Sequence, residues 1–150
     1  MNNNLIITIG REYGTGGREI GQKLALRLGV PFYDRELITR AAKKTGFDEK
    51  LFEQLDKRAT NSFLYSLTMF GSVGLNGMSL TDQLYLAQSN IIREMAEDSS
   101  CVIVGRCADH VLRDFPNKFD FFIHGSIEDR VKRVQTCGDY VIEGKTPEAA

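Results

Sequence analysis

Short apolar runs alternate with helical stretches along this chain. Strand-like runs, rich in β-branched or aromatic residues, lie at 5–9, 30–33, 101–104 and 119–124. Helices are predicted at 16–28, 35–44, 48–59 and 81–96, and Ser126 is placed to cap a further one. Because strands that alternate with helices build parallel sheets, the pattern predicts an α/β domain that binds ligands at the carboxyl ends of its strands.

Two of the helices carry apolar residues at a spacing that predicts which face meets the core. In the helix at 16–28 these residues are Ile20, Leu24, Leu26 and Leu28. In the helix at 81–96 they are Leu84, Ala87, Ile91, Ile92 and Met95. The run at 101–104 is apolar throughout, which indicates a central strand.

The turn between the first strand and the first helix is rich in glycine. Gly14, Gly16 and Gly17 allow positive φ angles and let successive N–H groups approach an anion. The following helix points its partial positive end at the same place. The turn therefore predicts a phosphate-binding loop.

This turn differs from the Walker A pattern GxxxxGK[ST] at the two positions whose side chains contact the phosphates and Mg²⁺. Gly17 stands where the lysine belongs, and Glu19 lies near the Ser/Thr position. Arg11 and Arg18 flank the glycines and are candidates to supply positive charge instead.

Two other interpretations of the turn remain open. A glycine-rich turn also occurs for packing alone. A dinucleotide site needs an acidic residue about twenty positions further on, where Asp34 lies. The arginines beside the loop favour a terminal phosphate over a buried pyrophosphate.

The composition of the chain limits the classes of protein to which it can belong. A length of 150 residues suits a single domain over 1–150, and a hydrophobic content of 42% is enough for a core. A net charge of −1 argues against a general nucleic-acid binder, so any anion selectivity has to come from locally placed arginines. Three cysteines without a CxxC pair indicate a reducing cytoplasm, and no membrane segment is found. His110 and His124 lack a partner at ligand spacing, so no metal-binding residue is predicted.

Two further segments carry expectations. The segment 61–79 is dense in apolar and aromatic residues and then in Gly, Ser and Asn, which favours a homodimer contact. Thr146, Pro147 and Glu148 form a helix-start signature close to Ala150. We therefore expect a further C-terminal piece.

Three motifs resemble the cytidylate kinase-like family, relatives of the P-loop nucleoside monophosphate kinases. They are IGREYGTGGREIG at 9–21, PFYDRELI at 31–38 and VIVGRCADHVL at 102–112. The resemblance covers nearly the whole chain. It implies a P-loop NTPase-like, three-layer α/β/α fold with a helical acceptor-binding insertion at about 35–98 and a lid after about Gly138, of which this chain holds little.

The resemblance also implies roles for particular residues. Asp34 and Arg40 match the ends of the family string that lines the monophosphate site, and Arg106 matches the arginine of its D-G-R-D motif. Cys107 stands where that motif has an acid. Arg40 and Arg106 follow strands at the edge where an acceptor phosphate would lie, and a guanidinium grips phosphate in bidentate fashion. The alternative for each arginine is a surface salt bridge, and for Asp34 a helix cap.

The donor phosphates are expected at the glycine loop, whose candidate residues are Arg11, Gly14, Thr15, Gly16, Gly17, Arg18 and Glu19. Arg18 and Arg106 are the candidate catalytic cations. Glu19 either orients Mg²⁺ through water or offsets Arg18, and the second is favoured. Arg130 and Arg133, on the predicted helix after Ser126, are expected at the surface. Tyr13 either stacks on a base or packs on its own domain.

The implied function is transfer of the ATP γ-phosphoryl group, with Mg²⁺, to a nucleoside monophosphate, with CMP or dCMP the first choice. Two alternatives stay open. The first is a nucleotide- or phosphate-sensing module without turnover, since the loop lysine is absent. The second is a kinase that acts on another small molecule.

Overall fold

The computed structural model describes residues 3–34 and 80–137. These residues form four strands and four helices that alternate along the chain. In order they are β1 (Ile6–Arg11), α1 (Gly17–Leu28), β2 (Phe32–Tyr33), α2 (Leu80–Asp98), β3 (Cys101–Val104), α3 (Ala108–Val111), β4 (Lys118–Ile123) and α4 (Ile127–Thr136).

The four strands form one sheet in the order β2-β3-β1-β4, with every neighbouring pair parallel. Ile6 lies opposite Cys101 on one side and Lys118 on the other. The predicted α/β fold with a parallel sheet is confirmed, and β3 is a central strand as its composition indicated. Because all strands run the same way, their carboxyl ends lie along one edge of the sheet.

Both faces of the sheet carry a hydrophobic cluster. On the face covered by α1 the buried residues are Ile7, Ile9, Ala25, Val102 and Val104. On the face covered by α2 and α3 they are Ile6, Ile92, Ala96, Cys101, Ile103, Ala108, Val111 and Leu112. The alternation of Ile6 and Ile7 between the two clusters follows from the two-residue period of a strand.

The inward face predicted for α1 is confirmed for Leu24, which is partly buried against the core, and is wrong for the other three residues. The residues of this helix that are buried are Gly17, Gly21 and Ala25, whereas Ile20 and Leu26 are exposed. A Cβ on Gly21 would lie 2.7 Å from Cγ2 of Val104, so the backbone of α1 sits directly on the sheet. Small residues at a spacing of four allow this close approach, and it brings the start of α1 near the strand ends.

The inward face predicted for α2 is confirmed for Ile91 and Ile92, which are buried, while Ala87 and Met95 are partly buried. The side chain of Leu84 is outside the described part.

Strand β4 forms one edge of the described sheet and is tied to β1 by a polar network. The buried Thr8 donates from Oγ1 to Oδ1 of Asp120 at 2.5 Å, and Lys118 forms an ion pair with the same carboxylate. Burial alone would raise the pKa of Asp120, but the bonds from Lys118 and Thr8 outweigh it and lower that pKa. The register of β4, and with it the position of α4, is therefore fixed by side chains as well as by the backbone hydrogen bonds between β1 and β4.

Several predicted features lie outside the described residues. They are the helices at 35–44 and 48–59, Arg40, the segment 61–79, the lid after Gly138 and the signature at 146–148. Within 3–34 and 80–137, no helix is both long enough and apolar enough to cross a membrane.

Candidate functional site

The site lies at the edge of the sheet where the strands end. Arg11 closes β1, Asp34 follows β2, Gly105 and Arg106 follow β3, and Gly125 lies between β4 and α4. Two contacts tie these positions together. The amide of Gly105 donates to the carbonyl of Ile9 at 3.0 Å. Gly125 donates its amide to Oε2 of Glu12 at 3.2 Å.

The glycine turn between β1 and α1 has the backbone that was predicted for it. Gly14 and Gly16 have φ angles of 83° and 75°, in the left-handed region that favours glycine. Gly16 is the N-cap of α1 and has no side chain to occupy the first amides of the helix. The hydroxyl of Thr15 donates back to the carbonyl of Glu12 at 2.8 Å, which holds the turn closed.

Each glycine of the turn also makes room for an arginine-bearing element. A Cβ on Gly17 would lie 2.7 Å from Cβ of Arg11. A Cβ on Gly16 would lie 2.7 Å from Cζ of Arg133, and one on Gly14 would lie 2.8 Å from the carbonyl oxygen of Arg130. Helix α4 therefore packs directly on the loop, and part of the need for glycine here is packing, as one of the open interpretations held.

Arginines around the loop pair with carboxylates. Nε of Arg18 lies 2.7 Å from Oδ2 of the buried Asp34, which joins the start of α1 to the end of β2. Nη1 of Arg130 lies 3.3 Å from Oε2 of Glu12. Arg130 also donates from Nε to the carbonyl of Tyr13 at 2.7 Å, so it braces the loop backbone.

Glu19 lies between two cations. Nζ of Lys23 is 2.6 Å from its Oε1, and Nη2 of Arg133 donates to its Oε2. Lys23 first and Arg133 second lower the pKa of Glu19 below its ordinary value. In this arrangement Glu19 therefore offsets the charges of Lys23 and Arg133.

The expectation that Arg130 and Arg133 lie at the surface is wrong. Both are partly buried, and both contact the glycine turn. The cap that positions their helix was predicted correctly, because the hydroxyl of Ser126 accepts from the amide of Asp129 at 3.2 Å. The available signal was their spacing of three, which puts both side chains on one face of the helix that follows β4.

The turn after β3 has a strained backbone. Arg106 and Cys107 have φ angles of 58° and 52°, which residues with a Cβ rarely adopt. Burial lowers the pKa of Arg106, and its Nη1 donates to Oε1 of Gln88 on α2 at 3.5 Å. The guanidinium of Arg11 lies against Gly105. The β3 turn and the glycine turn are therefore joined through Arg11.

The structure brings most of the predicted site residues to one edge. Arg11, Arg106 and the glycine turn are joined through Gly105, and Arg18 holds Asp34. Arg40 lies outside the described residues, and Tyr13 is half exposed. Among residues 3–34 and 80–137, no three His, Cys, Asp or Glu side chains are grouped so that they could hold a metal ion. The arrangement is suited to binding an anion, because it combines first-turn amides with several guanidinium groups.

Comparisons with known proteins bear on the fold and the family of the chain. A crystal structure of an uncharacterized protein from Eubacterium ventriosum ATCC 27560 is 29% identical and superposes with a TM-score of 0.62. The alignment covers 97% of this chain and 66% of the other, so this chain spans about two thirds of that protein's length. No curated protein matches the sequence. The profile of the cytidylate kinase-like family matches residues 6–144, and the chain belongs to that family.

Proposed function

We propose that the protein transfers the γ-phosphoryl group of ATP, supplied with Mg²⁺, to a nucleoside monophosphate, with CMP or dCMP as the first candidates. The observation that carries the proposal is the glycine turn with arginines around it, which faces a second arginine-bearing turn across one sheet edge. Membership of a cytidylate kinase-like family supports a kinase-like, nucleotide-related activity. We further propose a cytoplasmic location and a homodimer formed through 61–79.

Phosphoryl transfer depends chiefly on positioning and on neutralising negative charge. The amides from Gly14 to Arg18 and the N-terminal end of α1 would hold the donor phosphates. Arginines around the turn would neutralise charge in the absence of the loop lysine. Arg130, through its bond to the Tyr13 carbonyl, would keep the turn in its binding conformation.

The acceptor is assigned to the β3 turn. Arg106 is partly buried on a strained backbone, and such strain is concentrated at functional sites. Its guanidinium would bind the acceptor phosphate, with Asp34 and Arg40 assigned to the same site by their match to the family string. Cys107 stands where the family motif has an acid, so recognition of the base is open to CMP, dCMP or another monophosphate.

Calorimetric titration of the full-length protein with ATP, CMP, dCMP and the other common monophosphates, followed by a coupled ADP-release assay, tests the proposal. We expect ATP and one monophosphate to bind and ADP to form only when both are present. If ADP release requires a different small molecule, the protein is a kinase and the proposed acceptor is wrong. Failure of ATP to bind would contradict the assignment.

A second candidate function is a nucleotide- or phosphate-sensing module. The absence of the loop lysine favours it, because Gly17 stands where a kinase of this type has the lysine that contacts the transferring phosphate. A module without that lysine could still bind a nucleotide through the amides of the turn. Nucleotide binding without ADP release, with every common monophosphate tested, would establish this alternative.

A further inference from the structure

The side chain of Arg11 extends from one turn of the site to the other. Ile7, Ile9 and Arg11 alternate along β1 and therefore share the face that α1 covers, with Arg11 at the carboxyl end. A Cβ on Gly17 would lie 2.7 Å from Cβ of Arg11 and 2.9 Å from its Cγ. A Cβ on Gly105 would lie 3.2 Å from Cζ of Arg11. The aliphatic stem thus lies against the start of α1, and the guanidinium lies beside the β3 turn.

Arg11 differs from the other arginines around the glycine turn in its lack of a carboxylate partner. Arg18, Arg130 and Arg133 each form an ion pair. In the part of the chain that the structure describes, the Arg11 side chain forms no hydrogen bond or ion pair, and the residue is exposed. An anion can therefore bind the five N–H donors of this guanidinium without the loss of an existing ion pair.

The position of Arg11 gives a physical reason for the missing lysine. In the pattern GxxxxGK the first glycine corresponds to Arg11, the second to Gly16 and the lysine to Gly17. A side chain at position 17 would begin in the space that the stem of Arg11 already fills. Such an overlap forces the side chain or the backbone to move. The arginine at the first position and a lysine at the last therefore exclude each other.

We propose that Arg11 binds the terminal phosphate of the nucleotide in place of the absent loop lysine. The inference rests on the proposed function in one respect, that the nucleotide phosphates lie on the glycine turn. Because the guanidinium is placed between that turn and the β3 turn, it would meet the terminal phosphate rather than the phosphate nearest the nucleoside. A planar guanidinium binds two oxygens of one phosphate at once.

Calorimetric titration of the full-length protein with ATP, ADP and inorganic pyrophosphate tests this role. Arg11→Gln should weaken the binding of ATP and of pyrophosphate by roughly tenfold to a hundredfold, the scale of hydrogen bonds to a charged group. ADP lacks the terminal phosphate, so its affinity should fall by less than about threefold. A side chain with only a structural role would weaken the binding of ATP and ADP alike.

Arg27→Gln is the matched control for the loss of charge. Arg27 lies in the last turn of α1, at the opposite end of that helix from the glycine turn. The two variants remove the same charge, but only Arg11→Gln removes it from the site. Arg27→Gln should change the affinity for each of the three ligands by less than about twofold.

An exchange of the two positions tests whether they exclude each other. Gly17→Lys should lower the urea midpoint of unfolding in the unaltered background, because the new side chain overlaps the stem of Arg11. In the Arg11→Gly background the same substitution should lower the midpoint much less. There it should also raise the ATP affinity at least about tenfold above that of Arg11→Gly alone, since the loop then matches GxxxxGK.

Unchanged ATP affinity in Arg11→Gln, or equal weakening of ATP and ADP binding, would overturn the inference. An equal loss of the urea midpoint from Gly17→Lys in both backgrounds would overturn it as well. Absence of pyrophosphate binding in the unaltered protein would do the same.

The outcomes also separate this inference from the proposed function. Pyrophosphate binding that depends on Arg11, in a protein that forms no ADP with any monophosphate, supports the inference and contradicts the kinase. ADP formation that continues in Arg11→Gln with an unchanged rate and ATP affinity supports the kinase and overturns the inference.

Discussion

Two turns at the same edge of the sheet bring arginines to the site by opposite means. In the β1–α1 turn the positive φ angles fall on Gly14 and Gly16, and the cations come from Arg11 and from α4. In the β3–α3 turn the positive φ angles extend from Gly105 to Arg106 and Cys107. The first turn places its positive φ angles on glycine and takes part of its charge from distant side chains, whereas the second is strained and carries its own cation.

The difference indicates where each turn is sensitive to mutation. Added side-chain atoms should damage the first turn, because other elements already occupy the space beside its glycines. Removal of the arginine side chain from the second turn should weaken ligand binding. Replacement by glycine, which has no β-carbon, should relieve the backbone strain of that turn. The following predictions test this contrast, in order of expected effect.

The largest effect is expected for Gly14→Ala. The new Cβ would lie 2.8 Å from the carbonyl oxygen of Arg130, at a φ angle of 83° that alanine disfavours. Backbone strain and overpacking together should lower the free energy of unfolding by about 2–4 kcal/mol. Urea unfolding measures this loss.

Gly29→Ala is the matched control. Gly29 also has a positive φ angle, 65°, but a Cβ there would meet nothing within 4 Å. Only the backbone cost applies, about 1 kcal/mol. Equal losses in the two variants would show that α4 does not pack on the turn as described.

Arg106→Ala should act on binding. Loss of a charged hydrogen-bonding group should weaken monophosphate binding by about 1.5–3 kcal/mol and leave ATP binding nearly unchanged. Calorimetric titration with the two ligands measures both. A similar loss for both ligands would assign Arg106 to stability rather than to the acceptor.

A smaller effect is expected when glycine relieves the backbone strain at Cys107 or Arg106, and the two variants should differ in ligand binding. Cys107→Gly should raise the free energy of unfolding by up to about 1 kcal/mol, because glycine tolerates the left-handed backbone at an entropic cost of its own. Arg106→Gly should show a similar gain but lose monophosphate binding, while Cys107→Gly keeps it. Destabilisation of both variants would mean that neither backbone is strained.

The smallest expected change is in the titration of Glu19. Lys23 and then Arg133 lower its pKa from the ordinary value of 4.5, so the carboxylate persists to lower pH than an isolated one. Arg133→Gln removes one of these cations and should shift the pKa of Glu19 upward, toward 4.5. Carboxyl carbon NMR measures the shift, and Arg106→Gln, which alters only the other turn, should leave it in place. No upward shift in Arg133→Gln would contradict the ion pair.

The strands and the glycine turn could be predicted because their signals are local. A β-branched run such as 101–104 indicates a buried strand, and glycines at a strand-to-helix junction indicate positive φ angles. The inward face of α1 could not be found in this way. Apolar spacing selects Ile20 and Leu26, whereas close packing on Val104 selects Gly21.

The contacts of the α4 arginines with the glycine turn could not be predicted, for a different reason. Their contacts with the turn join residues more than a hundred positions apart, and those contacts depend on β4 lying beside β1. An arginine on a short amphipathic helix is usually solvated, so its sequence environment does not indicate a glycine turn nearby. The strand order supplies that information, and the strand order is a property of the whole fold.

The most direct test of the central claim is a crystal structure of the full-length protein grown with a non-hydrolysable ATP analogue. The account predicts phosphate oxygens within hydrogen-bonding distance of the amides from Gly14 to Arg18, at the N-terminal end of α1. A nucleotide bound elsewhere, with α4 still seated on the turn and no room for an anion between them, would contradict it.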